Sequence, residues 1–236
     1  MSRPNQGKIR IQWNSNFAYA IGLLTSDGNL SSDQRHICFS SKEIELINIF
    51  KKALQITNRP IPHARGGEKE KKYFFLSFGD KLFYQFLLDI GLMPAKSKII
   101  QMVDVPVRFF PDFLRGVYDG DGTFYTFRDI RWPKSFGFKM SFASASKHFI
   151  TWLKECLSCQ YKVKGYLHKG TGVCNLEYTK GDSKTLAKTM YYQDNLLFLP
   201  RKYRTIQQAL EQDKEYGLPY LQKQRKAIHP LEIMPG

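Results

Sequence analysis

The chain of 236 residues carries 36 Lys and Arg against 21 Asp and Glu, a formal net charge of +15 that is spread along its length. This surplus favours a polyanionic partner, nucleic acid before a membrane surface, because the sequence has no amphipathic Lys-rich helix. No stretch approaches the length of a membrane span, and the N-terminus has no apolar signal region. Four cysteines indicate a reducing intracellular compartment, a bacterial cytoplasm or an organelle, rather than a disulfide scaffold.

The first half of the chain begins with a polar, basic lead-in. Capping residues and apolar periodicity then predict, in chain order, a helix that ends at Asp27, a hairpin over 29–40, a helix opened by Ser41, a strand pair around 59–63 and 72–78, and a helix over 80–90.

The second half repeats this plan. It predicts a helix ending at Asp121, strands over 123–128 and 136–143, a helix over 147–157, a strand pair over 163–168 and 173–178, and a helix over 182–191. The segments that leave the two halves, 92–98 and 198–204, also align and pair Lys96 with Lys202.

The two first helices of these halves carry the clearest repeat. Both end in Asp-Gly, and 94 residues separate Gly22 from Gly116 and, equally, Asp27 from Asp121. A carboxylate in the last turn of a helix is locally unfavourable, because the free carbonyls there already make that end negative. The occurrence of such an aspartate at both helix ends predicts a site that needs negative charge, most simply for a divalent cation. Small residues at helical spacing would let the two backbones approach closely and bring both aspartates together.

The sequence therefore predicts an α+β protein of two pseudo-symmetric α-β-β-α-β-β-α units, packed through the paired first helices. The predicted segments are an N-terminal half over 1–98, a linker over 99–111, a C-terminal half over 112–210, and a C-terminal helix or tail over 211–236.

The repeated helix ends resemble the paired signature of the LAGLIDADG homing endonucleases. The second copy, LRGVYDGDG at 114–122, matches well, whereas the first, AIGLLTSDG at 20–28, departs at Thr25, where the family often has an acid. The resemblance covers about residues 10–210. It implies a four-stranded antiparallel sheet in each half and a monomeric, site-specific double-strand DNA endonuclease that leaves short 3′ overhangs. The chain lacks the ends expected of an intein, so we expect a free-standing, intron-encoded enzyme.

Phosphodiester hydrolysis by such an enzyme is expected to need Mg²⁺, with Mn²⁺ or Ca²⁺ able to occupy the same site. In the family the penultimate Asp of each signature binds the metal, which implies Asp27 and Asp121 as catalytic ligands. The backbone carbonyls of Ser26 and Gly120 are candidate supplementary ligands. Lys96 and Lys202 are candidate catalytic lysines that orient water or offset developing charge, while contact with DNA backbone or with solvent alone is the alternative for both.

One extra acid, Asp119, has no counterpart at Thr25. We expect it to cap its helix or to pair with Arg115 one turn earlier, and not to bind metal.

The open faces of the two sheets are expected to lie in a DNA groove, where side chains at a spacing of two residues can contact base edges. The alternative for any single residue is a solvated sheet surface. Strand parity nominates Asn29, Ser31, His36, Arg59 and His63 in the first half and Tyr125, Lys139, Ser141, Lys164, Tyr166, His168 and Asn175 in the second. Arg35, Arg65, Arg131, Trp132 and Lys134 are nominated at hairpin turns.

Three alternatives compete with these predictions. A zinc site at Cys156, Cys159, His168 and Cys174 is disfavoured, because strand parity places His168 and Cys174 on opposite faces of one sheet. A maturase that binds intron RNA on the same scaffold stays open. So does a DNA-binding regulator that has lost cleavage, although such a protein has less need of two unfavourable aspartates.

Overall fold

The computed structural model describes residues 7–64, 70–128, 130 and 136–227, with side chains as far as 216. Its helices are α1 (Ser15–Asp27), α2 (Ile44–Leu54), α3 (Lys81–Asp89), α4 (Phe110–Asp121), α5 (Lys147–Tyr161), α6 (Lys180–Met190) and α7 (Pro200–Ala227). Its strands are β1 (Gly28–Leu30), β2 (His36–Ser41), β3 (Ile61–His63), β4 (Tyr73–Gly79), β5 (Gly122–Arg128), β6 (Phe136–Ser144), β7 (Tyr166–Lys169) and β8 (Cys174–Tyr178).

Each half contains one four-stranded antiparallel sheet, with strand order β1-β2-β4-β3 in the first and β5-β6-β8-β7 in the second. The registers are equivalent. Asn29 pairs with Cys38 and Cys38 with Ser77, just as Thr123 pairs with Ser141 and Ser141 with Glu177. The predicted α+β class and the duplicated α-β-β-α-β-β-α order are confirmed.

Helices α1 and α4 pack directly against each other in the centre of the protein. A Cβ added to Gly22 would overlap the carbonyl oxygen of Phe113 and lie 2.9 Å from the Cα of Gly116. A Cβ on Gly116 would overlap the carbonyl oxygen of Tyr19. Only glycine permits backbones to approach this closely, so the small residues predicted to form the interface do form it.

Alternating side chains give each sheet a core face and an open face. Ile37, Phe39, Leu76 and Phe78 are buried on the core face of the first sheet, while Phe138, Met140, Phe142, Leu176 and Tyr178 are buried on that of the second. We call the opposite surfaces the open faces. The nominated residues within strands lie there, namely Asn29, His36, His63, Tyr125, Lys139, Ser141, Tyr166, His168 and Asn175. This alternation follows from the period of two along a strand.

Polar contacts also join the two halves. The hydroxyl of Ser15 donates to Asp112 at 2.7 Å, and the hydroxyl of Tyr19 donates to Asp119 at 2.7 Å. Arg201 of α7 donates two hydrogen bonds to Glu43, at 2.6 and 3.1 Å.

Several element boundaries differ from the sequence-based ones. Ser31 follows β1, Arg35 precedes β2, Arg59 precedes β3 and Lys164 precedes β7, so none of these four side chains lies within a strand. The predicted linker over 99–111 contains the first residues of α4, and the predicted C-terminal segment from 211 continues α7. None of the described helices is long and apolar enough to cross a membrane.

Candidate functional site

Asp27 and Asp121 occupy equivalent positions at the last residues of α1 and α4. Both line one cavity of about 610 Å³, together with Lys96 and residues of both halves. Asp27 is half-buried, whereas Asp121 is exposed. The close packing of the two helices therefore produces one acidic site to which each half contributes a carboxylate.

The residues before the two aspartates also pack together. A Cβ added to Gly120 would overlap the hydroxyl oxygen of Ser26, lie 2.6 Å from its Cβ, and lie 3.1 Å from Oδ2 of Asp27. The carboxylate of Asp27 thus sits beside the residue that precedes Asp121. Ser26 is anchored by donation of its hydroxyl to the carbonyls of Gly22 and Leu23, at 3.1 and 3.2 Å.

Lys96 is held at the end of α1. Its ammonium group donates to the carbonyl of Gly28 at 2.6 Å and to that of Ser26 at 3.5 Å. Burial lowers the pKa of Lys96 to about 8, although the charges of Asp121 and Asp27 partly oppose this. A cation at a helix C-terminus offsets the negative charge of the free carbonyls, so Lys96 compensates the unfavourable aspartate at this end.

Lys202 makes the equivalent contacts at the end of α4. Its ammonium group donates to the carbonyls of Tyr118, Gly120 and Gly122, at 2.8, 3.0 and 2.7 Å. Burial lowers its pKa as well. These three hydrogen bonds use all three donors of a lysine ammonium, so its main contact is with the helix end.

Asp119 lies behind the site and is buried. Its Oδ2 accepts from the hydroxyl of Tyr19 and from the backbone N–H of Leu199, both at 2.7 Å. Burial raises its pKa to about 6, against these hydrogen bonds. Arg115 instead pairs with Asp112 at 2.7 Å, which corrects the predicted pairing with Asp119.

The carboxylate and carbonyl oxygens at this site fit a cation that needs few protein ligands. No group of three or more His, Cys, Asp or Glu in the described part of the chain is arranged to hold a metal. Mg²⁺ usually binds one or two carboxylates together with substrate phosphates and waters, which Asp27 and Asp121 can satisfy. The carbonyls of Ser26 and Gly120 both accept a lysine hydrogen bond, and each retains a second lone pair. The predicted zinc alternative gains no support, since Cys156 and Cys174 pack against the core.

Polar side chains on the open face of the second sheet converge on Glu177. Oε1 of Glu177 accepts from the hydroxyl of Tyr125 at 2.9 Å, and Oε2 accepts from the ammonium of Lys139 at 3.0 Å. Nε2 of His168 lies 3.6 Å from the same Oε2. The pKa of Glu177 is lowered, because these hydrogen bonds outweigh the opposing effect of burial. Three nominated residues therefore surround a carboxylate that was not nominated.

The open face of the first sheet is less charged. Asn29 is exposed, and Ser31 beside it is half-buried. The ring of His63 packs against that of Phe75 in a tilted arrangement, with centroids 5.3 Å apart. Nδ1 of His36 lies 2.5 Å from the carboxylate of Asp33 in the adjacent turn, so this imidazole is already engaged within its hairpin.

The remaining nominated residues fall into three groups. Tyr166 is exposed and Asn175 half-buried on the open face of the second sheet, and Ser141 is buried at its centre. Arg35, Arg59 and Lys164 are exposed beside strands. The other four nominated residues, Arg65, Arg131, Trp132 and Lys134, lie outside the described residues.

Three further polar residues, Cys38, Ser77 and Glu177, lie on the open faces and were not among the nominated residues. Cys38 and Ser77 share a row with Asn29, and the sulfur of Cys38 lies 3.5 Å from the hydroxyl of Ser77. Glu177 shares the equivalent row of the second sheet with Thr123. Strand parity alone could have found all three, but the nominations favoured basic residues and hydrogen-bond donors.

Comparison with known proteins finds similarity in structure only. No family profile and no curated protein matches the sequence. The LAGLIDADG meganuclease I-AabMI, bound to uncleaved DNA, superimposes with a TM-score of 0.56 at 13% identity, covering 86% of this chain and 91% of that chain. The homing endonuclease I-WcaI, bound to its DNA recognition sequence, gives a TM-score of 0.57 at 12% identity, covering 83% and 88%.

The chain also superimposes on a LAGLIDADG domain from a protein that is not named as an endonuclease. The N-terminal LAGLIDADG domain of DUF199/WhiA superimposes with a TM-score of 0.51 at 14% identity, covering 78% of this chain and 85% of that chain. These superpositions establish the architecture. At such low sequence identity they do not establish an activity. The chain therefore has the LAGLIDADG fold, with two such units in a single polypeptide.

Proposed function

We propose that this protein is a monomeric, site-specific double-strand DNA endonuclease that hydrolyses phosphodiesters at a composite divalent-metal site between its halves. The observation that carries the proposal is that Asp27 and Asp121, one from each half, line a single cavity. Each carboxylate lies at the negative end of a helix, so two of them in one cavity favour the binding of a divalent cation there. A protein that only binds nucleic acid has less need of this arrangement.

The partner proposed for the open faces is duplex DNA. A formal charge of +15 attracts the phosphate backbone, and a β-ribbon fits the major groove of B-DNA. The solved LAGLIDADG meganuclease and homing endonuclease are themselves bound to DNA. Because one chain supplies both halves, a monomer can cover a long, imperfectly symmetric target.

In the proposed reaction, the carboxylates of Asp27 and Asp121 would hold Mg²⁺ at the DNA. The bound ion would supply Lewis-acid polarisation of phosphoryl oxygens at the scissile bond. Lys96 and Lys202 act as positioning residues, since their ammonium groups donate to the carbonyls that end α1 and α4.

The four cysteines are free thiols, which supports a reducing compartment, either a bacterial cytoplasm or an organelle. If the gene lies within an intron, as proposed here, the intron-free insertion site is the first DNA to test as a target.

The proposal is tested by selecting duplexes from a randomised DNA library and then incubating the selected sequence, within a plasmid, with the protein. We expect double-strand cleavage in Mg²⁺ and none in EDTA. Failure to select any duplex would overturn the proposed function. Metal-independent cutting would overturn the metal site.

A DNA-binding protein without cleavage is the second candidate, favoured by the match to the WhiA domain, which is not described as a nuclease. Selection of a duplex that is bound but never cut in Mg²⁺ or Mn²⁺ would establish it. The intron RNA maturase is distinguished by tight binding of intron RNA together with failure to select duplex DNA.

A further inference from the structure

The acidic residue Glu177 lies in the middle of a surface that otherwise suits a polyanion. It belongs to β8, an interior strand of the second sheet, and faces the open side in the row that contains Thr123 and Ser141. About 20% of its side chain is exposed. A carboxylate here repels phosphates, and DNA covering this face would desolvate it further, a cost that an N–H donor from the DNA would offset.

The neighbours of Glu177 fix its position without using its full acceptor capacity. Tyr125 donates to Oε1 and Lys139 to Oε2, and Nε2 of His168 lies 3.6 Å from Oε2, beyond hydrogen-bond distance. An ionised carboxylate has about four acceptor sites. The side chain is therefore preorganised, and lone pairs are left for a ligand. Both partners also lie on the open face, so the group as a whole points away from the core.

Base edges in the major groove offer few N–H donors. Cytosine presents its N4 amino group, and adenine presents N6 beside the acceptor N7, whereas guanine presents only acceptors there. A carboxylate accepts well from cytosine N4, while N7 of a purine would repel it. Cytosine is therefore the base that this environment fits best.

The first half has no carboxylate at the equivalent position. The row of Asn29 and Cys38 in the first sheet ends at Ser77, which corresponds to Glu177 by strand register. Serine can donate or accept and so discriminates bases weakly. The two halves should therefore differ in specificity at symmetry-related base pairs.

We propose that Glu177 is a specificity-determining residue that selects cytosine at one base pair of the DNA half-site bound by the second sheet, with no such selection at the symmetry-related pair. This inference rests on the proposed binding of duplex DNA, but it does not depend on cleavage. Tyr125 and Lys139 act as positioning residues for the carboxylate.

The experiment is selection of bound duplexes from a randomised library, in EDTA, by the wild-type protein, Glu177→Gln and a control. Glu155→Gln removes the same charge from an exposed position on α5, the helix that packs against the core side of β6 and β8. We expect the wild type and the control to share a cytosine preference at one base pair. Glu177→Gln should lower that preference roughly tenfold or more, with adenine gaining there, because glutamine bonds well to adenine.

Other results would overturn the inference in distinguishable ways. An unchanged consensus, or equal weakening at every position, would show that Glu177 does not contact a base. A new guanine preference would show that released Lys139 makes the contact and that Glu177 only restrained it. If the wild type selects no consensus at all, the proposed function fails, and this inference fails with it.

Discussion

Gly22 and Gly116 are in backbone contact at the crossing of α1 and α4, so that a Cβ on Gly22 would lie 2.9 Å from the Cα of Gly116. This contact determines how near the two helix ends can be. Asp27 and Asp121 each lie five residues further along, so their placement in one cavity depends on the contact. The stability of the fold and the geometry of the candidate site are therefore coupled through these two glycines.

The first prediction concerns Gly116→Ala. The new methyl group would overlap the carbonyl oxygen of Tyr19 and lie 2.9 Å from the backbone nitrogen of Leu23. Backbone atoms of a central helix cannot move aside locally, so we expect a loss of about 3 kcal/mol or more in the free energy of unfolding. Urea denaturation of the purified variant measures it.

The matched control is Gly181→Ala in α6. A Cβ on Gly181 meets no atom within 4 Å, and alanine favours the helix by about 0.5–1 kcal/mol. We expect this variant to be slightly stabilised. Similar stabilities for the two variants would contradict the close contact of α1 and α4.

The second prediction concerns Gly120→Ala at the edge of the candidate site. Its methyl group would overlap Ser26 and crowd the carboxylate of Asp27. We expect about 1–3 kcal/mol of destabilisation and reduced DNA cleavage. The double variant with Ser26→Gly removes the obstructing side chain, so a double-mutant cycle should show compensation of about 1 kcal/mol or more. Purely additive effects would contradict the contact.

The repeat in the sequence predicts the helix pair, while the four-stranded sheets are what the family resemblance implies. Glycines and aspartates at one constant spacing favour two equivalent helices, and the alternation along 136–143 predicts a strand. The core face of that strand, from Phe136 to Phe142, is buried as the alternation requires. These features depend on local periodicity, which a single sequence contains.

The contacts of the site were less predictable, because they join residues far apart in the chain. Lys96 and Lys202 were paired by alignment, but nothing in the sequence shows that they donate to helix-end carbonyls. Asp119 neither caps its helix nor pairs with Arg115, the two roles that the sequence offers, and instead accepts from Tyr19 of the other half. Strand parity places Glu177 on the open face, but only the structure shows that residues of three other strands surround it.

The third prediction concerns Asp27 and Asp121, the proposed metal ligands. Asp27→Asn and Asp121→Asn each remove one negative charge from the cavity and keep the shape of the side chain. We expect cleavage in Mg²⁺ to fall about a hundredfold or more, while DNA affinity in EDTA stays within about threefold. Asp104→Asn, at an exposed position outside the cavity, should retain activity. Undiminished cutting by both site variants would refute the assignment.

The fourth prediction concerns the salt dependence of DNA binding. If several Lys and Arg neutralise phosphates, the association constant should fall by about a thousandfold between 50 and 200 mM salt. Lys164→Gln, at an exposed position beside β7, should reduce the slope of log K against log salt by about 1. Lys52→Gln in α2, a helix that packs on the core side of the first sheet, should leave the slope unchanged. Equal slopes for all three proteins would argue against contact at Lys164.

The fifth prediction concerns pH and Lys96. Its pKa is about 8 in the folded protein and about 10.4 in an unfolded chain. Between these values the unfolded state binds more protons, so stability rises with pH, and the penalty of burying the ammonium is fully present below pH 8. From pH 7 to pH 9.5 this group should add about 2 kcal/mol to the free energy of unfolding.

Lys96→Met removes the titrating group, so urea denaturation at the two pH values should show a rise smaller than that of the wild type by the same amount. Lys98→Met changes an exposed lysine two residues away and should keep the wild-type rise, which separates burial from a general loss of charge. The same rise in Lys96→Met as in the wild type would mean that the ammonium reaches solvent in the folded protein. Lys96 would then be too hydrated to restrain the end of α1 beside Asp27.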